Sequence, residues 1–182
     1  DTHTPPFEQA VGFDNVRAAY DMVREMIGRG RRHVVYLAVR LDARTLQRQE
    51  GYIRAMEEQG LTPVTLRSEQ RSSFSVGATL LERILTEAPD TDAIFCTNDD
   101  VAIGAFFECQ RRGIAVPGKM AIAGFHGHDV GQVMVPTLAS VITPREQVGQ
   151  RAAEALIARL SGAAIGERVI DLGYRIEPGG TL

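Results

Sequence analysis

Ala93-Ile-Phe-Cys-Thr-Asn-Asp-Asp-Val-Ala-Ile-Gly-Ala105 passes from a short apolar run, through three polar residues, into a helical pattern. Ala93 to Thr97 reads as a buried strand, and Asp100 to Arg112 as a helix closed by Gly113-Ile114. The same unit recurs to either side. Upstream, Asn15 to Arg29 is a helix with Asp14 as N-cap and Gly30 as stop, its apolar Ala19, Met22, Val23, Met26 and Ile27 at three- and four-residue spacing. His33 to Val39 is a strand, about Thr45 to Gln59 a helix, Pro63 to Leu66 a short strand and Ser75 to Glu87 a helix. Downstream, Met120 to Phe125 and Ala139 to Ile142 are strands. Strands and helices alternating at this spacing predict an α/β fold built on a doubly wound parallel sheet with right-handed crossovers.

The last third is less self-sufficient. Thr143-Pro144-Arg145-Glu146 places Thr at N-cap, Pro at N1 and Glu at N3, the pattern of a capping box, and opens a helix to about Leu160. Its apolar stripe of Val148, Ala152, Ala155 and Leu156 is small, and a lone strand, Arg168 to Leu172, follows. The opening stretch Asp1 to Phe13 has no partner strand near it in sequence. These pieces need another sheet to pack on, so a second lobe that begins upstream of residue 1 is expected.

Composition narrows the function class. A chain of 182 residues that is 44% hydrophobic can bury a core without a disulfide or metal staple. Its net charge of −3 argues against this segment gripping nucleic acid. No apolar run approaches membrane-spanning length, so no membrane partner is expected. Cys96 falls on a strand and Cys109 on the following helix, which reads as two buried thiols in a reducing compartment, the cytoplasm.

In open α/β sheets ligands bind beyond the carboxyl ends of the strands, where loops and helix N-termini meet. Five such loops carry polar chemistry: Asp42, Arg44 and Arg48; Ser72, Ser73, Phe74 and Ser75; Asn98, Asp99 and Asp100; His126, His128 and Asp129; and Thr143. Arg44 and Arg48 could be a solvated helix face, with Glu50 pairing one of them, or a guanidinium fork for a carboxylate or hydroxyl pair. Phe74 is either a core anchor or a plate for the C–H face of a sugar. One residue of the Asn98-Asp99-Asp100 cluster caps the helix, which leaves Asn98 free to donate to and accept from a ligand. His126-x-His128 could begin a metal site, but His3 and His33 are poorly placed to complete it, and a hydrogen-bonding role for His126 is preferred. No Walker loop, GxGxxG fingerprint or GxSxG elbow is present, so neither a cofactor nor an enzymatic reaction is expected.

The ordered set Ala93 to Ala105, Arg112-Gly-Ile-Ala-Val-Pro117, Met120-Ala-Ile-Ala-Gly-Phe125, Thr143-Pro-Arg-Glu146 and Gly149 resembles the effector-binding core of the LacI/GalR family of bacterial repressors. Asp14-Asn15 and Arg48-Gln49-Glu50-Gly51-Tyr52 fit the same pattern, and the likeness spans essentially the whole chain. It implies the fold of type I periplasmic sugar-binding proteins. On that basis residues 14–142, with the final strand region 172–182, form a nearly complete C-terminal lobe. Residues 1–13 and 143–171 are then pieces of the N-terminal lobe, and the DNA-binding helix-turn-helix lies outside the chain. The resemblance carries effector contact onto Arg48, with Arg44 a turn earlier, and onto Phe74, Asn98, Thr143 and Asp14. Many family members hold an Asp where this chain has His126. That exchange makes the pocket cationic, with His126 beside Arg44 and Arg48, which suits an acidic sugar. Gly124-Phe-His-Gly-His-Asp-Val-Gly-Gln132 and Asp171-Leu-Gly-Tyr174 resemble the family's gluconate-utilisation branch, which implies gluconate or 6-phosphogluconate as effector.

Two other readings compete: a secreted sugar-binding protein of a transport system, and a small metal- or phosphate-dependent enzyme built on His126, His128 and Asp99. The helix Asp100 to Arg112 is apolar around most of its circumference, at Val101, Ile103, Ala105, Phe106, Phe107 and Cys109, and is therefore deeply buried or at an interface. The family dimerises through this lobe, so a homodimer is expected, with operator DNA reached only through the missing N-terminal part.

Overall fold

Val34 to Val39 is buried at every position, which a strand achieves only when both its faces are covered. Val34, Tyr36 and Ala38 enter one apolar core; Val35, Leu37 and Val39 enter another on the opposite face. The computed structural model describes residues 9–182 apart from 163 and 165. In chain order its elements are β1 (Ala10–Gly12), α1 (Asn15–Gly28), β2 (Val34–Val39), α2 (Ala43–Glu57), β3 (Val64–Ser68), α3 (Phe74–Glu87) and β4 (Ala93–Cys96). Then follow α4 (Asp99–Arg111), β5 (Ala121–His126), α5 (Asp129–Val133), β6 (Ala139–Ile142), α6 (Arg145–Leu160), β7 (Val169–Asp171) and β8 (Arg175–Glu177).

The main sheet runs β3-β2-β4-β5-β6-β8. Every neighbouring pair is parallel except β6–β8. One core is formed with α1 and α2, the other with α3 and α4, so the expected doubly wound α/β architecture is present with one antiparallel edge strand. That strand, β8, is only three residues long and carries no periodicity that its sequence could announce. It is held in place by Thr181, whose hydroxyl donates to Ile122 O and accepts from Ala139 N.

Helix starts follow side-chain chemistry. Asp14 accepts from Arg17 N, Asp42 from Thr45 N, Ser73 from Val76 N and Asn98 from Val101 N, each satisfying an orphan N–H of a first turn. The capping box expected at Thr143 does not form. Helix α6 starts at Arg145 with Pro144 at the cap and no side-chain cap bond, because the Thr143 hydroxyl turns to His126 O, 3.4 Å away.

Apart from the main sheet, β1 and β7 form a two-stranded parallel ladder with α6 against it. No residue of α6 is buried, and Leu156, Ile157 and Leu160 are 60%, 63% and 79% exposed. Helix α4, by contrast, is buried along most of its length, between the sheet and α3, with only Phe107 among its large apolar residues half exposed. The circumferential apolarity of α4 is thus mostly core. The opening residues 1–8 of the stretch read as part of another lobe lie outside the described residues.

Candidate functional site

From β2 the chain passes to β3 on one side and then to β4 on the other, so the loops leaving the carboxyl ends of β2 and β4 diverge. Such a switch point leaves a crevice. Here it is a polar cleft of about 190 Å³, walled by Arg40, Asp42, Arg44, Thr45 and Arg48 after β2, and by Thr97 and Asn98 after β4. Ser72, ahead of α3, and His126, at the end of β5, complete it.

Arg48 is the centre of this site. It is 4% exposed and lies one and a half helical turns into α2. Its Nε donates to Asn15 Oδ1 at 2.9 Å and its Nη1 to Thr97 O at 2.6 Å. The guanidinium carbon stands 3.8 Å over the Phe125 ring, and Phe125 itself packs against Phe13 and Phe95. No carboxylate among the described residues lies within ion-pair distance of Arg48; Asp42 and Asp99 act on it only through space. Burial pulls its pKa down to about 10, so the charge persists at neutral pH. A buried cation with hydrogen bonds but no counter-charge is costly to keep and is a ready partner for an anion. Arg44 is the opposite case: it is largely exposed and pairs with Asp42 at 3.2 Å rather than with Glu50.

His126 does not add positive charge, contrary to the expectation of a cationic histidine beside two arginines. Burial first, and then the neighbouring charges of Arg48, His128, Arg145 and Arg44, bring its pKa down to about 3. Its Nε2 lies 3.4 Å from Arg48 Nη1. A guanidinium can only donate, so Nε2 accepts and the proton of the neutral ring sits on Nδ1. The ring stacks on His128 at 5.9 Å and meets Phe125 edge-on at 5.3 Å. Its backbone has φ of +107°, and Arg40, across the cleft, has φ of +60°. Two non-glycine residues in left-handed conformations on one cleft is the kind of local strain that collects at binding sites.

The depressed His126 pKa has a consequence for acid stability. Below about pH 6.5 the unfolded chain takes up a proton at this residue, and the folded chain does so only near 3. Its contribution is therefore complete above pH 6.5 and is lost as pH falls from 6.5 toward 3. The slope is at most about 1.4 kcal/mol per pH unit. Asp99, raised by burial, works in the opposite direction, losing its contribution as pH rises through its elevated pKa. Urea unfolding between pH 4 and 7.5 checks this: wild type should lose stability on acidification faster than His126→Asn, and parallel curves would contradict the assignment.

Asn98 is not free for a ligand in the way expected. It is itself the cap of α4, and its side-chain amide also exchanges hydrogen bonds with Ser72 Oγ, at 2.6 and 2.9 Å. The cleft sees an Asn98–Ser72 pair, not a lone amide. Phe74 heads α3 two residues from Ser72, 47% exposed and outside the cleft wall. Thr143 is buried against the carbonyl of His126, and Asp14 is spent on capping α1. The structure therefore brings Arg44, Arg48, Asn98 and His126 together and leaves Phe74, Thr143 and Asp14 around them. Three partners escaped sequence reading: Asn15, Thr97 and Phe125. Asn15 looked like an ordinary first helical residue, and the other two looked like strand ends. Among the described residues no group of His, Cys, Asp and Glu side chains converges as metal ligands would. His128 Nδ1 lies 3.3 Å from Asp100. Cys96 and Cys109 are buried thiols. No helix among the described residues is long and apolar enough to cross a membrane.

A family model for a periplasmic binding protein-like domain matches residues 23–182. The chain belongs to that family, and within it to the effector-binding domains of LacI-type transcriptional regulators. Among its relatives, the HTH-type transcriptional regulator GntR of Escherichia coli K12 is 52% identical over 182 residues, 100% of this chain and 55% of that protein. The HTH-type transcriptional regulator IdnR of the same strain is 43% identical over 176 residues, 96% of this chain and 53% of that protein. Of solved structures, the transcription regulator GntR from Chromobacterium violaceum superimposes with a TM-score of 0.93 at 38% identity, covering 96% of this chain and 65% of that one. A LacI family regulator from Silicibacter pomeroyi gives 0.88 at 33% identity, covering 100% and 67%. The chain spans about half the length of the curated relatives it matches.

Proposed function

We propose that the cleft binds a sugar acid, gluconate or a phosphorylated gluconate, and that the chain is the sensing part of a longer repressor. The observation that carries this is the buried guanidinium of Arg48 at the floor of a polar cleft, hydrogen-bonded to Asn15 and Thr97 but lacking an anionic partner among the described residues. A carboxylate supplies that missing charge through a charge-assisted hydrogen bond. Arg44 at the mouth adds long-range attraction. The neutral His126, with its proton on Nδ1, and the Asn98–Ser72 pair offer donors and acceptors for hydroxyls. Phe74 would cover the ligand's C–H face when the opposite lobe closes. Thr143 serves by holding the His126 carbonyl, and Asp14 by opening the helix that presents Asn15 to Arg48. The relatives named above are regulators, which supports binding rather than catalysis and disfavours a transport protein.

In the same proposal, residues 14–142 with 172–182 form one lobe, and 1–13 and 143–171 belong to the other, whose remaining strands cover the exposed side of α6. Operator DNA is reached through a helix-turn-helix outside this chain, in the cytoplasm and as a homodimer. The half-exposed Phe107 on α4 supports the dimer. Effector binding then shifts an equilibrium between open and closed lobes by its differential affinity for the two. Calorimetry of the full-length protein against gluconate, 6-phosphogluconate and glucose tests the reading. Saturable binding of at least one acid and none of glucose is expected; equal affinity for glucose would overturn it.

A further inference from the structure

The cleft's most unusual residue, His126, is held from outside the cleft. His126 and Gly127 have φ of +107° and +69° in succession, a turn that an ordinary histidine would not choose unaided. The two N–H groups that follow His126 are both tied down. Gly127 N donates to Ser140 Oγ at 3.1 Å, and His128 N donates to Asp99 Oδ2 at 2.5 Å. The Ser140 hydroxyl in turn donates to Asp99 Oδ1 at 2.7 Å, so both anchors end on one carboxylate. Asp99 is wholly buried at the start of α4. It sits so close under β5 that a Cβ on Gly124 would lie 2.2 Å from its Oδ1, which leaves glycine as the residue that fits there. Asp99 takes no part in capping, which falls to Asn98, and it does not line the cleft.

We infer that Asp99, acting through Ser140, is the positioning residue that fixes the His126-Gly127-His128 turn and thereby sets the His126 imidazole against Arg48. This deepens the sugar-acid reading of the same cleft and rests on it for its consequence, namely that specificity at His126 is set by a residue the ligand never touches. The carboxylate is needed because it accepts twice. An amide in its place keeps only one acceptor. With its oxygen on His128 N–H, its NH2 reverses the Ser140 bond and leaves that hydroxyl without its acceptor; with the oxygen on Ser140, its NH2 opposes the His128 N–H. The pair of anchors is weakened either way. Released, the turn relaxes toward negative φ and the ring leaves Arg48.

The test uses the full-length protein with Asp99→Asn, Ser140→Ala and His126→Asn, read in two independent ways. The first is the imidazole 15N signature of His126, followed with pH. In wild type it should report a neutral ring protonated on Nδ1 throughout the range above pH 5, under the charges of Arg48, His128, Arg145 and Arg44. In Asp99→Asn it should move toward an ordinary histidine that titrates near 6.5, and Ser140→Ala should move it part of the way. The second is calorimetry with sodium gluconate, where Asp99→Asn should weaken binding about tenfold or more and Ser140→Ala by less. Should Asp99→Asn fail to fold, Ser140→Ala carries both readouts, since it removes the Gly127 anchor and leaves Asp99 in place. An unchanged His126 signature in a folded variant overturns the positioning role. If wild type binds no gluconate the effector reading fails, while the imidazole signature still decides this inference.

Discussion

Replacing Arg48 with methionine is expected to weaken gluconate binding roughly 100-fold or more, the cost of removing one side of a desolvated, hydrogen-bonded charge pair. Arg48 is buried, its carbon lies 3.8 Å over Phe125, and it has no carboxylate partner within the described chain. A ligand carboxylate in the cleft would therefore gain a counter-charge that is already desolvated and oriented. The free protein should be affected far less. Methionine fills much of the same space over the Phe125 ring and removes a buried charge, which stabilises. It also strips Asn15 Oδ1 and Thr97 O of a donor, which costs about 1–3 kcal/mol for each acceptor left dry. These terms oppose each other, so the thermal midpoint of the free variant stays near that of wild type while its ligand-induced rise disappears. Arg48→Lys should fall between the two, since an ammonium keeps the charge but cannot reach Asn15, Thr97 and a ligand together. Calorimetry and thermal melts with and without gluconate separate these outcomes. Undiminished affinity in Arg48→Met would sink the assignment of this cleft.

Much of the fold was legible because its signals are local. A strand covered on both faces shows as an unbroken apolar run, as at Val34–Val39, and a helix start shows as a cap residue, as at Asp14, whereas the cap roles of Asp42 and Asn98 emerge only in the structure. Elements whose existence depends on distant partners were not legible. Strand β8 exists because β6 offers it an edge, and α5 is a single short turn between β5 and β6. At Thr143 local chemistry pointed to a capping box, but a carbonyl from another strand competed for the hydroxyl and won. The site divides along the same line. Which loops meet follows from strand order, so Arg48, Asn98 and His126 could be named in advance. What each is doing there depends on contacts 26 to 78 residues apart in the chain, such as Asn98 with Ser72 and Arg48 with His126. Protonation was misjudged for that reason: His126 beside arginines looked cationic, and burial together with those same arginines makes it neutral.

Gly104→Ala is expected to be the most damaging single methyl in the protein, lowering stability by on the order of 3 kcal/mol or more. A Cβ at Gly104 would lie 1.9 Å from Phe74 O, 2.6 Å from Phe74 C and 2.8 Å from Phe74 Cα. All three are backbone atoms at the head of α3, so no side chain can swing aside. The contact is reciprocated: a Cβ at Gly77 of α3 would lie 2.1 Å from Val101 O of α4. Glycine inside a helix costs about 1 kcal/mol relative to alanine, and two helices accept that cost here because their backbones touch. Accommodating the methyl requires α3 to withdraw from α4, which opens the second core around Leu80, Leu81, Ile84 and Phe106. It also displaces Phe74 and stretches the Ser72–Asn98 pair, so gluconate binding should weaken along with stability. Gly28→Ala is the matching control, because it too is a helical glycine, in the same lobe, but has no atom within 4 Å of the new Cβ; it should gain up to about 1 kcal/mol. Urea unfolding followed by circular dichroism compares the two. A Gly104→Ala protein as stable as wild type would mean that α3 can shift freely on α4, and a Phe74 that drifts with it could not serve as a fixed cover for the ligand's C–H face.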